Sequence, residues 1–173
     1  MKDDLPFSHL YNLNRLGQAG DVVEFVAGEA EREALARFAD VVRVSAFAAR
    51  IDLKKLAPNR FRLDFTLEAD VVQACVVSLA EVPAHVALRF DRELHFTPAL
   101  RRTDEGEIEV PLEDDLPEEI DTLHYDLAAP LIEEFVLGLD SYPRAPGVEF
   151  QAPEGEVAPE SPFAVLKGLK SGR

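Results

Sequence analysis

The sequence has one cysteine, Cys75, which excludes an internal disulfide and fits a reducing compartment. It has no apolar run near the roughly 20 residues that a membrane-spanning helix needs. Its opening, MKDDLPFSHL, lacks the apolar stretch of a secretory signal, so a cytoplasmic location is expected. There is no G-x-S-x-G, no glycine-rich phosphate loop and no H-E-x-x-H. The four histidines form no nucleophile–base pattern with a serine or with Cys75. A non-enzymatic protein without a cofactor is expected. Cationic charge is scarce as well: 18 Lys and Arg face 33 Asp and Glu, a formal net charge of −15. Phosphate affinity comes from Lys and Arg that displace counterions, so this balance argues against a nonspecific nucleic-acid binder.

What is present is a chain of 173 residues, 47% of them hydrophobic, enough for one domain with tails. The clearest signal is strict alternation from Arg60 to Val71. Phe61, Leu63, Phe65, Leu67, Ala69 and Val71 are apolar, and the residues between them are polar. A period of two held this long predicts a strand with one buried and one wet face. The pattern returns from Val82 to Thr97, with Arg92 interrupting its apolar face, which marks a bend or an edge. The two segments, joined by QACVVSLAE, read as a long antiparallel hairpin. Val41 to Leu56 is also strand-like, but its apolar parity flips, which predicts a β-bulge near Ala46 to Ala49. Pro58 and Asn59 supply the next turn, completing a three-strand meander. Cross-strand ion pairs are expected near Arg62–Glu93 and Glu68–Arg89.

Phe7 to Leu13 and Val22 to Val26 are shorter strand candidates. GEAEREALARFAD predicts a helix with Ala30, Ala34, Leu35 and Phe38 on its apolar stripe. LAAPLIEEFVLGL predicts a second, N-capped by Asp126, with Leu127, Leu131, Phe135 and Leu139 buried. The expected fold is α+β: an antiparallel meander of long twisted strands with about two helices on one face. Residues 1–147 form the expected domain, with a mobile acidic loop over 104–121, which holds ten carboxylates and no Lys or Arg. Residues 148–161 read as a disordered Pro/Glu-rich linker, and 162–173 as a docking tail. In that tail Phe163, Leu166 and Leu169 would share one helical face beside Lys167 and Lys170.

Cys75, His85 and His95 are the one set that hints at metal. Structural zinc needs four ligands with close paired spacings, and Ser78 stands where a second cysteine would be, so no metal is expected. Glu133 and Glu134 read as the solvated face of the second helix, with a buried acid as the sharper alternative. Arg50, Lys54, Lys55, Arg60 and Arg62 cluster around one turn, and could touch phosphates or an acidic protein. For Arg62 the cross-strand ion pair leads; for Lys54, Lys55 and Arg60 both readings stand. The acidic loop reads first as a solubilising run, with capture of a basic partner as its alternative.

The segment from Leu67 to Pro98, LEADVVQACVVSLAEVPAHVALRFDRELHFTP, resembles the central stretch of the YceD family of large ribosomal RNA subunit accumulation proteins. Asp126 to Gly147 is similar to that family's block with paired glutamates and a closing P-R and Gly. Pro162 to Lys170 is similar to its P-F-A ending. Relatives that read C-x-x-C suggest zinc, which does not carry over to a chain with Ser78. The resemblance implies a cytoplasmic factor needed for large-subunit ribosomal RNA to accumulate, acting in RNA processing or subunit assembly. Its implied partners are precursor large-subunit RNA or particles and a ribosomal or maturation protein. A monomer without membrane contact is expected, as is the alternative of an acidic adaptor for a basic protein.

Overall fold

The computed structural model describes residues 5–98 and 117–149. Three long strands dominate it: β3 (Arg43–Ala57), β4 (Arg60–Ala74) and β5 (Glu81–Phe96). They form the expected meander. The β4–β5 hairpin runs from Arg60↔His95 to Ala74↔Glu81 without a register shift. β2 (Asp21–Val26) pairs antiparallel on the far side of β3, giving one edge of a five-stranded sheet. At the other edge β6 (Glu118–Ile120) pairs parallel with Leu94, His95 and Phe96 of β5. A small second sheet joins β1 (Leu10–Asn12) to β7 (His124–Asp126). The helices are α1 (Glu29–Phe38) and α2 (Ala128–Leu137).

Alternation in the sequence becomes a two-faced sheet because successive side chains point to opposite sides. Phe61, Leu63, Phe65, Leu67, Ala69 and Val71 are all buried. Register stacks them against Phe47, Ala49, Ile51 and Leu53 of β3. On β5, Val86 and Leu94 are buried and Leu88 and Phe90 half-buried on the same face. Full burial of each large apolar side chain contributes about 2 kcal/mol. The parity flip in β3 is a bulge, and it sits slightly upstream of the expected place. Val44 pairs with Val71 and Ala46 with Asp70, so Ser45 is the extra residue.

α2 lies on this inner face. Leu127, Leu131 and Phe135 are fully buried, and Phe135 packs edge-on against Phe47 with ring centroids 5.5 Å apart. The expected cap is realised one residue early. The Asp126 carboxylate accepts the Ala128 backbone N–H at 3.0 Å and the His9 N–H at 2.8 Å, so it ties the helix start to the N-terminal segment. α1 differs from its predicted stripe. It buries Leu35 and Ala36, while Ala30 is exposed and Phe38 is 47% exposed. The helix packs on β3, and Leu35, its one fully buried residue, decides which side faces in. Arg32 donates to the Ala27 carbonyl at 2.8 Å, and the Glu31 carboxylate accepts the Gly28 N–H at 2.6 Å.

Two further expectations are revised. The acidic stretch does not run as a loop to Asp121, because Glu118–Ile120 is a strand and Ile120 is buried. An edge of β5 distant in sequence supplies its backbone partners. Glu68 lies opposite Ala87 and Arg89 opposite Thr66, so the Glu68–Arg89 pairing is absent while Arg62↔Glu93 holds. Arg92 marks an edge rather than a bend, since β5 runs unbroken through it and meets β6 only from Leu94. The acidic residues 104–116, the linker from 150 and the tail lie outside the described residues.

Candidate functional site

The outer face of the sheet carries most of the predicted basic set. β3 presents Arg50, Asp52 and Lys54 there; β4 presents Arg60, Arg62, Asp64, Thr66 and Glu68; β5 presents Arg89, Asp91 and Glu93. Register arranges them in rows. Arg50, Thr66 and Arg89 lie side by side, then Asp52, Asp64 and Asp91, then Lys54, Arg62 and Glu93. Like charges directly opposite each other are destabilising, and the cations beside the aspartate row offset that repulsion.

The offset is direct. Arg50 bridges Glu24 at 3.1 Å and Asp52 at 3.2 Å. Lys54 reaches Asp64 at 3.0 Å. Arg60 reaches Glu93 at 3.4 Å. Arg62 meets Asp64 at 3.1 Å, Asp91 at 3.2 Å and Glu93 at 3.7 Å. Burial pulls the Asp64 carboxyl upward, but hydrogen bonds from Lys54 and Arg62 outweigh it and hold Asp64 below its ordinary value. The Asp52 hydrogen bond pushes Arg50 up, and the Asp64 hydrogen bond does the same for Arg62. Solvent screens these exposed pairs, so each contributes little to stability. Lys55 is separated from the set: it leaves the outer face and sits 5.9 Å from the Phe61 ring centroid. Four of the five predicted cations are thus brought together, and all four are already engaged by carboxylates.

Of the paired glutamates of α2, Glu133 is solvated and Glu134 half-buried. Arg92 on the inner sheet face, opposite Leu63, donates to Glu134 at 2.8 Å and Glu133 at 3.4 Å. The apparent flaw in the β5 pattern is therefore a strap between sheet and helix. Nearby, Tyr125 donates to Glu118 at 3.0 Å, and burial pushes its phenol far above the ordinary value.

Cys75, His85 and His95 are not brought together. His85 is tied to Asp70 at 2.7 Å and His95 to Asn59 at 2.8 Å. Among the described residues no group of three or more His, Cys, Asp or Glu could hold a metal ion. Cys75 is fully buried in the β4–β5 turn. Hydrogen bonds from the Ser78 side chain and from the backbone N–H groups of Ala145, Ser78 and Val77 draw the thiol from 9.0 down to about 6, with burial opposing. No cation takes part, so the neighbouring sequence gave no sign of it. A depressed pKa means the thiolate stabilises the native state fully above pH 9 and less as pH falls toward 6. Cys75→Ala is expected to cost more stability at pH 9 than at pH 6, read from urea midpoints at the two values. Equal costs would show that the sulfur stays protonated.

The same turn is bound to the segment after α2. Val76 N–H donates to the Pro143 carbonyl at 2.9 Å, and the buried Gln73 amide donates to the Asp140 carbonyl at 2.9 Å. Residues distant in sequence therefore share one end of the molecule. Among the described residues no helix is long and apolar enough to cross a membrane.

Comparison with known families bears on which surface matters. The model of the family described as Large ribosomal RNA subunit accumulation protein YceD matches residues 63–170, more than half of the chain. The chain belongs to the YceD family. Its role accordingly lies in the accumulation of large-subunit ribosomal RNA. No curated protein and no solved structure matches the chain. The YceD match begins inside β4 and takes in the β4–β5 hairpin, α2 and the tail residues Phe163, Leu166, Lys167, Leu169 and Lys170. Arg50, Lys54, Lys55, Arg60 and Arg62 all precede it.

Proposed function

We propose that this protein supports accumulation of large-subunit ribosomal RNA without catalysis, by binding a ribosomal or maturation protein of the precursor particle. It acts as an acidic adaptor in the cytoplasm, where it is a monomer. One observation carries the reading: Arg50, Lys54, Arg60 and Arg62 are already paired with carboxylates, and the whole basic set precedes the family match. Contact with RNA phosphates through Arg50, Lys54, Arg60 and Arg62 would require those ion pairs to open in a chain of charge −15. A basic protein meets no such cost and is attracted at long range. Glu133 and Glu134 are both held by Arg92.

The test is capture of tagged full-length chain from gently lysed cells, with and without ribonuclease. A ribosomal or maturation protein should stay bound after nuclease and dissociate as salt rises. Charge reversal at Lys54 and Arg60 should leave its recovery within about twofold, as expected for screened surface positions outside the contact. If nuclease releases every protein, and purified chain retains large-subunit RNA alone, the chain contacts RNA directly and the adaptor reading fails.

A further inference from the structure

Exposed large apolar side chains are not spread evenly. Val76, Leu79, Val136, Leu137 and Tyr142 gather on the β4–β5 turn and the C-terminal end of α2 with its following segment. Those segments are held together by the Val76–Pro143 and Gln73–Asp140 hydrogen bonds. Leu79 is the anomaly. It is 79% exposed and has φ of 61°, a left-handed conformation that suits Gly or Asn and strains a bulky side chain. An exposed leucine at a strained turn is unfavourable on both counts, and a group that covers it would remove the cost of exposure.

The described chain ends beside this patch. The Pro143 carbonyl accepts the Val76 N–H, and Glu149 follows six residues later. Beyond it the sequence reaches Phe163 after a spacer whose extended length is about 45 Å, enough to fold back onto the adjoining patch. Such a tether sets an effective concentration in the millimolar range. The tail it carries has Phe163, Leu166 and Leu169 with Lys167, Lys170 and Arg173, and no acid. The exposed Asp140 lies in the segment that is bonded to Gln73 beside this turn.

We propose that residues 162–170 dock on this patch of their own domain, the apolar side chains covering Leu79, Leu137 and Tyr142 and the lysines turned toward Asp140. The inference does not rest on the adaptor reading, because it concerns the chain alone.

The experiment uses purified full-length chain with a benzophenone side chain in place of Leu166, irradiated at low protein concentration. Cross-links are expected within single chains, to peptides containing Val76–Leu79 and Val136–Tyr142. Leu79→Asn in the same chain should lower their yield at least about fivefold, while the unfolding midpoint stays or rises because Asn tolerates the left-handed turn. Cross-links that join two chains would overturn the proposal in favour of a second copy as the occupant. Cross-links scattered over other surfaces, or an unchanged yield in Leu79→Asn, would overturn it outright.

Discussion

Phe135→Ala is expected to destabilise the protein by about 4 kcal/mol, as large-to-small changes at fully buried aromatics do. Phe135 is 0% exposed and meets Phe47 edge-on, and Phe47 in turn meets Phe7 at 5.8 Å and Phe25 at 6.3 Å. Removing the ring opens a cavity at the junction of α2 and the sheet, where strand backbones cannot collapse inward. Because domains are stable by only about 5–15 kcal/mol, the variant should retain little margin and unfold at a far lower urea concentration. Phe38→Ala, at a 47% exposed position, should move the midpoint little. If the two variants lose stability equally, α2 is not anchored as described.

Gly20→Ala is the second large effect, at about 3 kcal/mol once the left-handed backbone and a backbone clash are combined. Gly20 has φ of 77°, and a Cβ there would stand 2.7 Å from the Leu53 carbonyl oxygen. The next residue, Asp21, pairs with Leu53, so relief of the clash must pull β2 from β3 at its first rung. Hydrogen exchange should therefore show β2 losing protection before the β4–β5 hairpin. Gly17→Ala is the control: nothing lies within 4 Å of its added carbon, and its cost should stay within about 0.5 kcal/mol. A Gly20→Ala protein as stable as Gly17→Ala would mean that the β2 edge is not held in this register.

The strands were legible because one buried face and one wet face impose a period of two, and Phe61 to Val71 obey it without exception. The β3 bulge was legible for the same reason, as a slip in parity. α1 was not, since Ala-rich helices with Glu and Arg around them leave several stripes nearly equal, and only packing against β3 selected Leu35 and Ala36 over Phe38. β6 was hidden inside an acidic run, with Ile120 as its one apolar clue.

The basic turn shows the same division more sharply. Its cations could be counted in sequence, but their partners could not. Asp91 and Glu93 meet Arg62 only when β5 folds back along β4, and Glu24 meets Arg50 only when β2 joins β3. Arg92 read as a flaw because its partners, Glu133 and Glu134, lie some 40 residues away on a helix. By itself the sequence determined the fold class, the long hairpin, the buried face of β4 and the family, because these follow from local periodicity and residue identity. Tertiary structure alone decided which charges are spent on one another, what holds the Cys75 sulfur and which apolar side chains remain uncovered. Those depend on contacts between segments distant in the chain, and no local pattern encodes them.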